Sequence, residues 1–216
     1  MYRLISLVLL LWFVGCSGST NKASSMGAFV LEDRNLSALH SEPILRIKAS
    51  HPEGAAIVSS YGTAFLTTHK DRLILVTANH VVKDAVEFFF YNDRHERVDI
   101  VIGKIVLIPS LDSAVLYPTF IGPTIEPLQS DSMQIGSDCT LVGFPFDGEK
   151  VRTNGVVLSS FFETSAMAES GMSGGPVIRD GKVVGVISSI IKTSSTAKVV
   201  PQSSVARLSD VLNQLK

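Results

Sequence analysis

Three side chains that could cooperate in acyl transfer stand in contexts that would expose them: His80 in LVTANHVVKDA, Asp112 in PSLDSAVLYP and Ser173 in GMSGGPV. A serine hydroxyl is a weak nucleophile until a neighbouring base takes its proton, and the anion formed on the attacked carbonyl needs N–H donors close by. The glycines around Ser173 strip away side-chain cover and let the main chain approach that anion. Taken singly, each residue has a plainer reading. GMSGGPV is also good turn chemistry, a histidine at the end of an apolar run can be structural, and an aspartate before an apolar run can simply start a strand. His40, His51, His69 and His95 lie in polar surroundings and read as surface residues. What sets His80, Asp112 and Ser173 apart is that they occur together.

The elements that must position them are short and β-rich. ILRI, GTAFLTT, LILVTA, VEFFFY, VDIVIGKIVLI and SAVLY follow one another, separated by Asp, Asn, Gly and Pro clusters. Residues 118–127, PTFIGPTIEP, hold three prolines and a glycine and read as a connection. A second set comprises DCTLVGF, VRTNGVVLSSFF, PVIRDGKVVGVISSIIK and AKVV. Within it Asp180-Gly181 between apolar runs signals a tight hairpin. Only SSVARLSDVLNQLK has a helical period, with Val205, Leu208, Val211, Leu212 and Leu215 on one face and Ser203 or Ser204 as cap. The pattern predicts an all-β chain of two barrels, about 41–118 and 127–202, closed by a helix over about 203–215.

With 45% apolar and 18% charged residues in 216, the chain can bury a sizeable core. A net charge of -1 without a Lys/Arg stripe argues against a nucleic-acid partner. Two cysteines, Cys16 and Cys139, support no disulfide framework, and no His or Cys pair has metal-ligand spacing, so neither metal nor cofactor is expected. Cys139, in DCTLVGF, reads as a buried, inert thiol rather than a rival nucleophile. At the N-terminus Arg3 precedes an apolar run from Leu4 to Val14, too short to span a bilayer and suited to a signal peptide over 1–15. Phe13-Val14-Gly15-Cys16 resembles a bacterial lipobox, although Phe13 stands where leucine is usual. That resemblance implies a lipidated Cys16 followed by a polar tether to about residue 40, and a lipid anchor as a partner. Ser17, not aspartate, follows the cysteine, which points to the outer membrane facing the periplasm. A soluble secreted or periplasmic protein is the alternative.

Taken together, TANH, LDSAVL and GMSGGP resemble the Thr-Ala-x-His, Asp-x-Ala and Gly-x-Ser-Gly-Gly-Pro motifs of the trypsin-like (chymotrypsin-fold) serine peptidases, in the same His, Asp, Ser order. GTAFLT, LVGFP and GKVVGV are similar to the family's flanking segments. The short spacings are like those of compact bacterial HtrA-like domains. The resemblance covers roughly residues 41–205. Asn79, Ser113 and Ala64 depart from the pattern without removing a catalytic group.

The resemblance implies two six-stranded antiparallel β-barrels with a C-terminal helix, and a serine endopeptidase acting on proteins or peptides. Ser173 would attack the peptide carbonyl, His80 would take and return the proton, and Asp112 would fix the imidazole tautomer. The Gly171 and Ser173 N–H groups would form the oxyanion hole. Ser188, Ser189 and Ile190, with Met167 in the 165–168 segment, would line the first specificity pocket. None is acidic, so an uncharged P1 residue is expected. Met172 cannot form the ion pair with a new N-terminus by which digestive relatives are activated, so propeptide removal is not expected. A PDZ module after Lys216 is not expected either. The alternatives are a catalytically silent peptide-binding or scaffold protein and an esterase using the same triad. Oligomeric state is not legible in the sequence.

Overall fold

The structure is a computed structural model that describes residues 43–122, 125–146, 148–159, 163–191 and 202–215, all within one compact unit, Ser37–Lys216. The leader, Cys16 and the tether expected over 1–40 lie outside the described residues, as does the expected strand AKVV.

Strands β1 (Ile44–Glu53), β2 (Ala56–His69) and β3 (Arg72–Ala78) form two consecutive hairpins. Lys70 and Asp71, which join β2 to β3, both take positive φ, the geometry of a two-residue hairpin turn. A short helix, α1 (Asn79–Val82), leads to β4 (Glu87–Tyr91), β5 (Arg97–Val98) and β6 (Ile100–Ile108). A 3-10 turn, Pro109–Leu111, then precedes β7 (Ser113–Ile121). These strands make one antiparallel sheet ordered β5-β4-β1-β2-β3-β7-β6. The first half therefore has seven strands in a curled sheet rather than six in a closed barrel. Its end strands β5 and β6 are separated in the chain by Asp99 alone.

The second half is a closed six-stranded barrel. Its strands are β8 (Asp138–Gly143), β9 (Val151–Ser159), β10 (Glu163–Thr164), β11 (Pro176–Arg179), β12 (Lys182–Ile191) and β13 (Gln202–Arg207). Asp180 and Gly181 turn β11 into β12 with φ of 49° and 75°, the hairpin expected from their types. The closing helix α2 runs only from Leu208 to Asn213. Residues 203–207, expected as its first turn with a serine cap, instead pair with β12 and β10. The ladder satisfies their backbone groups, and Ser203, wholly buried, donates to Ala166 O and accepts from Ala168 N–H. Barrel two thus extends to Arg207. The connection also differs from expectation, because residues 118–121 belong to β7. Pro118 is tolerated there because it faces an irregular stretch of β6, where a missing N–H costs little.

Three apolar clusters hold these layers. Leu45, Ile47, Leu66, Leu75, Phe90 and Leu116 fill the first sheet, and Leu141, Val157, Met172, Ile187 and Val205 fill the barrel. The third cluster joins the halves and draws on Phe65, Ile74, Val76, Val115, Phe144 and Val186, with Leu208 and Val211 of α2. Strand β3 consequently buries Leu75 on one face and Ile74 and Val76 on the other. That explains the unbroken apolar run LILV, which an alternating, half-solvated strand would not carry.

Candidate active site

Each half contributes one side of the site. Strand β3 ends at Ala78 and the chain turns at once into α1, which carries His80. On the neighbouring β7, Asp112 sits just before the first strand residue, at the end of the 3-10 turn, with left-handed backbone angles of φ 44° and ψ 41°. Aspartate is among the few residues that tolerate this conformation. Asn79 N–H donates to the Asp112 carbonyl (3.0 Å), so the two chain segments are pinned before any side chain acts.

The Asp112 carboxylate collects three donors. His80 Nδ1 lies 2.7 Å from Oδ2, the His80 backbone N–H donates to Oδ1 at 3.1 Å, and Ser188 Oγ donates to Oδ2 at 2.8 Å. Burial opposes ionisation of this carboxyl, but the hydrogen bonds from His80 and Ser188 and the attraction of the imidazole together outweigh it. The group is held below its usual value of 3.8. With Oδ2 accepting at Nδ1, the imidazole is left with Nε2 as the nitrogen able to accept a proton.

Ser173 comes from the other half, in the loop between Met172 and β11. Its Oγ donates to Ser188 O at 3.3 Å, and no hydrogen bond links it to His80 among the described residues. Ser188 therefore touches both sides, through its hydroxyl to Asp112 and its carbonyl to Ser173. It was expected only in the specificity pocket. Its contact with Asp112 spans 76 residues, and nothing local in VISSII announces it.

The loop before Ser173 is shaped by glycine. Gly171 has φ +96°, and a Cβ there would lie 2.6 Å from both Phe144 O and Phe146 N. Gly174 has φ +85° and would bring a Cβ to 2.3 Å from Thr63 O. Met172 between them is fully buried in the barrel core, its N–H donating to Glu169 O at 3.0 Å. Among the described residues the N–H groups of Gly171 and Ser173 have no acceptor. Met167 and Ile190 are exposed, at 48% and 37%. Ile190 pairs with Ser203 on β13, whose hydroxyl also holds Ala166 and Ala168, so β13 stands between the two segments expected to line a pocket. Ser189, also exposed, pairs with Ser204.

The departures from the family pattern are accommodated. Ser113 is fully buried and donates to Leu111 O at 3.0 Å, and Ala64 is packed in the first core. Asn79 is buried with its Oδ1 unpartnered. Cys139 is buried, and desolvation, then the neighbouring Asp138 charge, pushes its thiol up to about 11. Among the described residues no group of three or more His, Cys, Asp or Glu is placed to hold a metal ion.

Fold and sequence together define the class: the chain belongs to the trypsin-like peptidase family. Residues 62–186, more than half of it, match the Trypsin-like peptidase domain. A probable periplasmic serine endoprotease, DegP-like, of Pseudomonas fulva (strain 12-X) is 34% identical over 175 residues, covering 73% of this chain and 35% of that protein. A protein of the same description from Ectopseudomonas mendocina (strain ymp) is 32% identical over 149 residues, covering 62% and 30%. The chain spans about a third of the length of these relatives. Among solved structures, the active form of the Rv3671c protease from M. tuberculosis superposes with a TM-score of 0.63 over 93% of both chains at 18% identity. Its inactive form gives 0.59 at 20% identity, over 80% of this chain and 87% of that one. At such identities the likeness is one of fold.

Proposed function

We propose that the protein is a serine endopeptidase that cleaves peptide bonds through an acyl-enzyme, with Ser173 as nucleophile, His80 as general base and acid, and Asp112 as the group that fixes the imidazole. The observation that carries this is the 2.7 Å contact between His80 Nδ1 and Asp112 Oδ2, which leaves Nε2 free to take a proton. The reaction requires the Ser173 hydroxyl to leave the Ser188 carbonyl for Nε2. The hydroxyl proton then passes to Nε2 as Oγ bonds the carbonyl carbon. Carbonyl electrons move onto oxygen, where the unpartnered N–H groups of Gly171 and Ser173 receive them. The same proton goes to the leaving amine, and water repeats the sequence to free the acid. The first specificity pocket draws on Met167, Ser188, Ser189 and Ile190 and takes an uncharged P1 residue.

The substrates are proteins or peptides met in a bacterial envelope. The DegP-like relatives described as periplasmic support that compartment, the VGC context of Cys16 supports a lipid anchor, and Ser17 after it supports the outer membrane. A second reading, peptide binding without cleavage, is favoured by one observation: the Ser173 hydroxyl bonds Ser188 O instead of His80. Labelling of the purified protein by a fluorophosphonate, together with cleavage of a peptide library, separates the two. The peptidase reading requires both activities in the wild type and neither in Ser173→Ala. Labelling without cleavage refutes it in favour of a binding protein or an esterase.

A further inference from the structure

The loop that carries Ser173 has a weakness built into its composition. Gly171 and Gly174 both hold positive φ, and glycine backbones have more conformations to escape into than any other. Between Glu169 and Gly175 no residue belongs to a strand, and backbone bonds tie this stretch to β12 only at its end, where Gly174 N–H donates to Ile187 O and Ile187 N–H to Gly175 O. Its orientation must come from contacts with something rigid.

Two of them come from Thr63 and two from Ile187 of β12, but Thr63 alone takes both carbonyls that flank Met172. Thr63 lies in the middle of β2, paired with Arg46 of β1, and is fully buried. Its Oγ1 donates to Gly171 O at 3.0 Å and accepts from Phe144 N–H at 2.9 Å. Its own N–H donates to Ser173 O at 2.8 Å, and its carbonyl accepts from Thr77 Oγ1 at 2.7 Å. Every polar atom of Thr63 thus has a partner, and the carbonyls on either side of Met172 both point at this single residue. The segment that Thr63 grips at Phe144 in turn donates from Phe146 N–H to Ser170 O at 2.8 Å. That bond sets the plane of the Ser170–Gly171 peptide, whose N–H is one of the two left without an acceptor.

We propose that Thr63 is a positioning residue for the oxyanion loop. Its hydroxyl turns the Gly171 carbonyl inward, away from the substrate, and ties the Phe144–Phe146 strap to the same point, so that the Gly171 and Ser173 N–H groups face the cleft before substrate arrives. The proposal rests on the peptidase reading given above. Valine is close to threonine in shape but lacks the hydroxyl, so Thr63→Val leaves the Gly171 carbonyl and the Phe144 N–H unpartnered in a dry site. The carbonyl can regain a partner only by turning the loop.

The test compares wild type, Thr63→Val, Thr63→Ser and Thr63→Ala on a peptide p-nitroanilide cleaved by the wild type, with the rate of fluorophosphonate labelling and a thermal melt of each. Loss of an oxyanion donor costs about a hundred- to a thousandfold in kcat, which sets the ceiling; a loop that still samples its correct state loses less, so the expected fall for Thr63→Val is about ten- to a thousandfold. KM should stay within about threefold, since substrate contacts are kept. Thr63→Ser should retain kcat within about threefold, and the labelling rate should follow kcat throughout. If Thr63→Val does not fold, Thr63→Ser against Thr63→Ala decides, because that pair differs only in the hydroxyl. Wild-type kcat in Thr63→Val, or equal losses in Thr63→Ser and Thr63→Ala, overturns the proposal while leaving the peptidase reading intact. A wild type that neither labels nor cleaves overturns that reading instead.

Discussion

Replacing Asp112 with asparagine should silence the site by a route that can be followed atom by atom. The carboxylate accepts three hydrogen bonds and donates none. Asparagine brings one acceptor oxygen and one NH₂. The His80 backbone N–H cannot reverse its polarity, so the amide oxygen must take the Oδ1 place and the NH₂ the Oδ2 place. There the NH₂ faces Nδ1, which can accept only if the imidazole carries its proton on Nε2. That tautomer cannot take a proton from Ser173. The corresponding change in a serine peptidase of this class lowers kcat about 10⁴-fold, or about 5.5 kcal/mol, and a similar loss is expected in Asp112→Asn. Burst kinetics with an activated ester read the effect on acylation, while KM for a peptide substrate should change little. A kcat within about tenfold of wild type would refute the tautomer argument and with it the role given to Asp112.

Ser188→Ala removes one of the three donors but keeps the carbonyl that faces Ser173; with Asp112 still 28% exposed, water replaces part of the bond, so about a tenfold fall in kcat/KM is expected, read in the same assay. Because the folded Asp112 carboxyl lies below its unfolded value, it stabilises the fold above about pH 4, and that contribution disappears as pH falls through the folded value. Melting temperature should therefore drop more steeply as pH is lowered below about 4 in wild type than in Asp112→Asn, as measured by circular dichroism. Met172→Ala empties a fully buried position and should cost about 2–5 kcal/mol in urea unfolding, with activity falling beyond what unfolding explains. Cys139, at about 11, is ionised to only about one part in a thousand at pH 8. It should resist a disulfide reagent in the native protein and react fully in denaturant.

The candidate site was legible where the contacts that shape it are local. TANH, LDSAVL and GMSGGP each place one functional group beside the residues that shape its backbone, and Asp180-Gly181 dictates its own turn. What failed was what depends on distant partners. Val205, Leu208, Val211 and Leu212 have a helical spacing, yet Ser203 and Val205 also alternate as a strand, and only pairing with β12 and β10 decides between them. Ser203 is polar and fully buried because Ala166 and Ala168, far away in sequence, satisfy it. The seventh strand escaped notice because β5 is two residues long. Thr63 sat unremarked in GTAFLT because its hydroxyl acts on Gly171, 108 residues away.

That long reach has a consequence in time. The contacts that assemble the site join residues separated by 32, 76 and 108 positions, and the barrel beneath Ser173 is closed by β13, which ends only at Arg207. Long-range contacts form late, because the chain must first lose the entropy of closing large loops. As the polypeptide emerges from N-terminus to C-terminus, His80 and Asp112 can find each other early, but the surface that carries Ser173 does not exist until nearly all of the chain is available. On the peptidase reading, hydrolytic competence would therefore arrive as one of the last events of folding, and a half-made molecule would be unable to digest itself or its neighbours.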